Sequence, residues 1–388
     1  MSLYAYLLGL LLLRTASGET VFGWQELSTK LPRGVSDHTA TRSGDIVYLA
    51  GGCDAEQGNV WDEGAKFFKC FSISKALIGF DIDTKTIIDD LPDMPIPRYR
   101  HAAVAANNKI WVVGGRDIDD NLIDQVDVFD ITKGSWNIAG DLPAEYVASD
   151  NTGFGYQNRA YFIGGYGVNY TALTNVFYID AAAPDPLGSI TEVAPLNVER
   201  GDIAAAIDEV TGYVLVAGGF THANDFCEPH KHAEMYNIAA DEWVEIAPLQ
   251  YGRADKALVH LDGQDGVFYA LGGERQVMGF CDLDVQPEPG ERTIPIDQVE
   301  RYNKATDTWE TVSDLPLHRF RFPAVAEGND IYSFGGQVAF DQECDCFDTT
   351  DTIIVYTEVE SWASTLSLVL NGILATASAF WLTGLMEL

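Results

Sequence analysis

The chain is 388 residues long, which allows either two ordinary domains or one large all-β domain. A hydrophobic fraction of 47% supplies a packed core, and 36 glycines with 44 aromatics (8 Trp, 17 Tyr, 19 Phe) favour short strands joined by tight turns. Its 24 basic and 58 acidic residues leave a formal charge of −34, a field that repels phosphate backbones and argues against a nucleic-acid partner.

In chain order, the first element is an uninterrupted apolar run at residues 3–13, LYAYLLGLLLL, too short to cross a bilayer as a helix. Ala16-Ser17-Gly18 follows, with small residues where a signal peptidase needs them. Residues 1–18 therefore read as a signal peptide, with a mature chain starting near Glu19, although no Lys or Arg precedes the run.

A β-rich run ending in Gly-Gly then recurs six times: IVYLAGG to Gly52, IWVVGG to Gly115, AYFIGG to Gly165, YVLVAGG to Gly219, VFYALGG to Gly273 and IYSFGG to Gly336. The steps between first glycines are 63, 50, 54, 54 and 63 residues, a period that marks a repeat architecture. Ahead of each doublet lies a small-residue strand such as HAAVAA at 101–106, and beyond it a loop of variable length. A third strand then carries an aromatic: Phe80, Phe129, Tyr178, Tyr236, Tyr302 or Tyr356. Trp136, Trp243 and Trp309 come seven residues later in three units, and Leu-Pro or Pro-Leu closes the unit at 141–143, 247–249 and 314–316. Four short strands per unit make one propeller blade. The sixth unit lacks its closing strand, and Trp24 leading to Leu31-Pro32 supplies it from the other end of the chain. The N-terminal strand is thus expected to complete the last blade and leave no open edge.

The chain ends in LSLVLNGILATASAFWLTGLM, 366–386, with no charge in 21 residues. Only Glu387 and Leu388 follow, so no basic anchor flanks it. The tail, 362–388, reads as a GPI-attachment signal with Ala363-Ser364-Thr365 as its small-residue site, or as a transmembrane helix.

Gly-Gly, an aromatic often followed by Asp (Phe80-Asp81, Phe129-Asp130), Trp and Leu-Pro together resemble the kelch family over about residues 20–360. Blade one departs with Ile87 at the Trp position, and blade three replaces that strand with AAAPDPLGSITEVAPL. The resemblance implies an all-β, six-bladed propeller over 19–361 and a binding module for an extracellular protein or carbohydrate. It also admits a carbohydrate-active enzyme, copper radical oxidase-like or sugar mutarotase-like, but the oxidase's crosslinked tyrosine and cysteine with two histidines cannot be placed on these positions.

Strand alternation puts the loops after the doublets on the face where each blade begins, and that face carries the variable sequence. Arg98 and Arg319 lie 16 residues before their doublets, Arg200 18 and Arg253 19, with Arg100 and Arg321 two positions later in their blades. A cationic ring at the pore mouth receiving a carboxylate is one expectation; the other is that these arginines belong to the kelch pattern and bond neighbouring loops. His222, His230 and His232 share one loop with Cys227, ligand types that suit a metal, but a loop does not fix geometry and no cofactor is expected. The six cysteines suggest disulfides: Cys53 with Cys70 across one loop, and Cys227 with Cys281 between adjacent blades. Cys344 and Cys346 are too close in sequence for an easy mutual bond, and other pairings stay open. Asn169-Tyr170-Thr171 is a glycosylation sequon.

Overall fold

The computed structural model describes residues 23–54, 59–62, 67–221, 228–261, 266–276 and 293–357. The expected signal peptide and hydrophobic tail, with His222, Cys227 and Cys281, lie outside the described residues. The chain divides into a compact unit of Trp24–Val355 and a second formed by Met1–Gly23 with Tyr356–Leu388, of which residues 23, 356 and 357 are described.

The Trp24–Val355 unit carries six four-stranded antiparallel sheets, one per doublet. In blade two, Ala102–Ala106, Lys109–Val113, Gln125–Asp130 and Ser135–Asp141 pair in chain order from the axis outwards. The tip joining its first two strands is Asn107-Asn108, both left-handed (φ 53° and 54°), the turn that follows the natural strand twist. In blade six, Ala324–Glu327, Asp330–Phe334 and Thr352–Thr357 are completed by Gly23–Lys30, so the N-terminal strand is its outer strand. Tryptophan geometry agrees. Trp136, Trp243 and Trp309 each donate Nε1–H to a carbonyl at the end of the preceding blade (Pro92, Ala194 and Ala247), and Trp24 donates likewise to Ser313 at 3.2 Å.

Apolar side chains fill the spaces between blades. Val104, Trp111 and Val128 of blade two meet Phe162, Phe177 and Ile179 of blade three, and Leu215 and Met235 of blade four meet Phe268 and Tyr302 of blade five. Each such side chain contributes about 1.5–3 kcal/mol on burial.

The doublets explain how blades join. The second glycine of each donates its N–H to a carbonyl of the next blade: Gly52 to Arg98, Gly115 to Ala148, Gly165 to Arg200, Gly219 to Arg253, Gly273 to Arg319, and Gly336 back to Val35, all at 2.8–3.0 Å. These glycines are left-handed, and a Cβ on Gly115 (φ 86°) would sit 2.6 Å from the Tyr99 carbonyl oxygen. Only glycine meets both demands.

Two loop additions were not legible in the repeat. Gln337–Asp341 and Cys346–Thr349 from blade six pair with Asn59–Asp62 and Phe67–Cys70 from blade one, a small sheet over the loop-bearing face. It holds both described disulfides. Cys53–Cys70 forms as expected, with Cα atoms 5.8 Å apart. Cys344–Cys346 also forms, against expectation, because left-handed Asp345 (φ 51°) turns the hairpin tightly enough to bring the Cα atoms to 5.2 Å.

Candidate functional site

Four of the six arginines expected at the pore mouth are inside the blades instead. Arg98, Arg200 and Arg253 are 0% exposed and Arg319 1%. Each gives Nη1–H to the carbonyl of the first glycine of its own doublet: Gly114 at 2.9 Å, Gly218 at 3.5 Å, Gly272 at 2.9 Å and Gly335 at 2.8 Å. Nη2 of the first three meets a third-strand carboxylate: Asp127 at 2.6 Å, Glu234 at 2.5 Å and Glu300 at 2.6 Å. Arg319 finds only the Thr352 hydroxyl, at 2.7 Å. Burial pulls all four guanidinium pKa values down, Arg200 and Arg319 to about 10, with Glu234 opposing the fall for Arg200. These side chains fasten the doublet to the third strand and offer a ligand nothing. The carboxylates stand two residues before the blade aromatic, which is the sequence signal that would have predicted their pairing.

Arg100 and Arg321 do reach the axis, as members of a ring. Asp37, Arg100, Asp150, Asp202, Asp255 and Arg321 occupy one equivalent position, two residues past the arginine site in every blade, and all six are left-handed (φ 49–56°). Their backbones close a circle: Arg100 N–H donates to Asp37 O, Asp150 to Arg100, Asp202 to Asp150, Asp255 to Asp202, Arg321 to Asp255 and Asp37 to Arg321, at 2.8–3.1 Å. Reading two residues past the arginine site in every blade, whether or not that site holds arginine, would have found the four aspartates.

The ring and the next three residues of each inner strand enclose an axial cavity of about 200 Å³. Charge around it is uneven. Arg100 sits between Asp37 and Asp150, with Nε 3.5 and 3.6 Å from their carboxylates. Arg321 donates Nε–H to Asp255 at 2.9 Å and stands 3.8 Å from Asp37. Burial opposes the charge on Arg321, yet Asp255 and Asp37 outweigh it and hold its pKa raised. The cationic mouth therefore does not form; the two ring arginines are held by aspartates, and blades three to five contribute only aspartates to the ring, with Lys256 of blade five lining the cavity beside them. Burial, together with Asp255 and Asp150, pushes the Asp202 carboxyl well above the usual carboxylate range, although Tyr166 donates its hydroxyl to it at 2.8 Å.

Behind the ring, His38, His101, Asn151, Ile203, Lys256 and Phe322 wedge between blades. Each lies over its own second glycine and reaches the first glycine of the preceding doublet. Lys256 is the misfit among them: 4% exposed, its Nζ has no hydrogen-bond partner, and burial with Arg200 and Arg253 nearby lowers its pKa to about 7.

Of the expected histidine site, His232 lies 3.3 Å from Glu234 and 3.5 Å from Glu245, while burial and Arg200 lower the pKa of His230. Among the described residues no three His, Cys, Asp or Glu side chains gather closely enough to hold a metal ion. Asn169 of the sequon is exposed, beside a Tyr170 ring stacked under Arg116 at 3.8 Å.

The Kelch motif family model matches residues 97–143, which is blade two from its arginine to its Leu-Pro closure. Kelch-like protein 40 of Mus musculus is 27% identical over 291 residues, covering 74% of this chain and 41% of that protein. Kelch-like protein 25 of Homo sapiens is 26% identical over 321 residues, 74% of this chain and 45% of its own length. The chain thus spans less than half of these relatives. An N-(sulfonatooxy)prop-2-enimidothioate sulfolyase of Thlaspi arvense is 25% identical over 269 residues, 64% of this chain and 73% of that protein. Among solved structures, YjhT superposes with a TM-score of 0.63 at 13% identity, covering 84% of this chain and 96% of that one, a likeness of fold alone.

Proposed function

The chain is a kelch-repeat β-propeller, and from that premise we propose that it is a protein-interaction module whose partner docks on the loop-bearing face, over the axial cavity. The distribution of exposed apolar side chains carries the reading. Among the described residues eight large hydrophobics are exposed, and five of them, Phe71, Ile118, Val168, Tyr251 and Leu317, stand on loops of that one face. Exposed apolar groups gathered on one face, rimmed by charge, mark an interaction surface. Replacing Tyr251 and Leu317 together with Ser should abolish capture of the partner, whereas Val210→Ser at the opposite tips should leave it intact; equal loss from both would refute the assignment.

We place this module outside the cell. The support is the 1–18 signal-type segment, the apolar 366–386 tail as a tether and the buried Cys53–Cys70 bridge in a chain with a sequon at Asn169. Release from cells by a phosphatidylinositol-specific phospholipase, and a mass shift with glycosidase, test the tether and the glycan. A carbohydrate partner is the other extracellular ligand this face suits, and a glycan array discriminates it. An enzymatic role is the second reading, favoured by the likeness to the sulfolyase. Stoichiometric metal or turnover by the purified domain would support it over docking.

A further inference from the structure

We propose, resting on the docking reading above, that Cys344–Cys346 is a redox modification site. A dithiol opens it while Cys53–Cys70 stays closed, and its state sets how firmly the small loop sheet holds one end of the docking face. The two bridges differ in what they enclose. Cys53–Cys70 spans a sequence separation of 17 residues and Cys344–Cys346 one of 2, so the shorter bridge removes far less freedom from the unfolded chain. Its effect is local to the native hairpin. They differ also in access. Cys53 is 0% exposed and Cys70 1%. Cys344 is half-buried in a turn whose other members, Gln342, Glu343 and Asp345, are exposed, while Cys346 is buried. A thiolate exchanges only with a sulfur it can reach. It therefore attacks Cys344 Sγ, and the electron pair of the S–S bond leaves on Cys346 Sγ, which takes up a proton. The second thiol of the reductant then closes on the mixed disulfide, frees Cys344 as a thiol and leaves the reductant as its own disulfide. Two electrons pass from the dithiol to the bridge.

Opening the bridge acts on the sheet directly. Cys346 pairs with Asp341 inside the hairpin and with Val60 of the blade-one loop, and Phe347 beside it pairs with Phe340 and Asn59. Asn59 in turn pairs with Cys70, and the next residue, Phe71, is 58% exposed on the docking face. The bridge also fixes Asp345 in its left-handed turn (φ 51°), a conformation aspartate adopts at a cost. With the sulfurs apart that turn relaxes. The hairpin then keeps only its ladder and the Phe347 ring against Phe320 and Phe340, with centroids 5.1 Å apart in each pair.

The test exposes the full chain to dithiothreitol, quenches with iodoacetamide and reads each cysteine by peptide mass. Alkylation of Cys344 and Cys346 is expected about tenfold or more sooner than that of Cys53 and Cys70. Hydrogen exchange on the protein so reduced should show protection lost in 337–341 and 346–349, kept in the blade strands, and regained on reoxidation. Replacing Cys344 and Cys346 together with Ser should reproduce that loss with no reductant. Capture of the partner should fall on reduction and return with the bridge. Both bridges opening together, Cys53–Cys70 opening first, or exchange or capture unchanged by reduction would overturn the proposal. Undiminished capture by the Tyr251/Leu317 variant would instead count against the docking face, with the reduction and exchange results still standing.

Discussion

Arg98 and Arg100 stand two residues apart, as do Arg319 and Arg321, yet the two members of each pair serve different regions. Arg98 and Arg319 belong to the staple layer between doublet and third strand, where every guanidinium contact is fixed by its own blade. Arg100 and Arg321 belong to the axial ring, where each ion pair is made with a neighbouring blade. A layer closed within one blade can be kept or dropped blade by blade: the arginine stands in four blades and its acid in three of them. The ring, shared by six blades, can vary residue by residue, and there the sequence departs from symmetry.

The largest effect should come from breaking the staple layer. Arg98→Ala strands Asp127 as a buried, unpaired carboxylate and should cost about 3–5 kcal/mol by denaturant unfolding. Arg319→Ala should cost less, since its partner is the neutral Thr352 hydroxyl. Arg100→Ala, in the partly open ring, should cost less than Arg98→Ala; equal costs would erase the distinction between the layers. Next comes the joint between blades. Gly115→Ala puts a Cβ into the Tyr99 carbonyl at a left-handed position and should cost about 1–3 kcal/mol.

A change of opposite sign tests the wedge behind the ring. Lys256 has a folded pKa of about 7 against 10.5 for the free side chain, so folding displaces its proton anywhere between these values. The penalty is complete below pH 7 and fades as pH rises towards 10.5. Lys256→Met should therefore stabilise, by on the order of 1–3 kcal/mol at pH 6, and the gain should shrink steadily above pH 7. A gain that grows with pH would contradict the burial argument. Smallest is the ring closure. Trp24→Phe should cost about 1 kcal/mol, the worth of its hydrogen bond to Ser313, and a similar loss in Trp309→Phe would show that the borrowed strand behaves as an ordinary fourth strand.

Much of the fold was legible because blade assembly imposes the same chemistry six times. The doublets mark the left-handed turns that let blades touch, and Trp24 with Leu31-Pro32 marks the borrowed strand. The site was less legible. Arginines and aromatics advertise themselves, but sequence spacing gives a position along a strand and not the depth of a side chain, so Arg98 stayed open between the mouth and a bonding role within the kelch pattern. Its partner was in view nonetheless. Blades two, four and five have both the arginine and an acid two residues before the aromatic; blades one and three have neither, with Val35 and Ile78, and Ala148 and Val176. The ring aspartates lay hidden because acids are the commonest surface residues here, and only their shared register distinguishes Asp37, Asp150, Asp202 and Asp255. The Cys344–Cys346 bridge and the loop sheet depend on one left-handed residue and on pairing between distant loops, which no periodicity carries.

Hydrogen exchange with and without the captured partner tests the docking face most directly. Protection is predicted in the loop-face segments 117–122, 167–172, 249–253 and 315–319, with the opposite tips at 107–108, 157–158 and 209–212 unchanged. Protection confined to those tips would contradict the account.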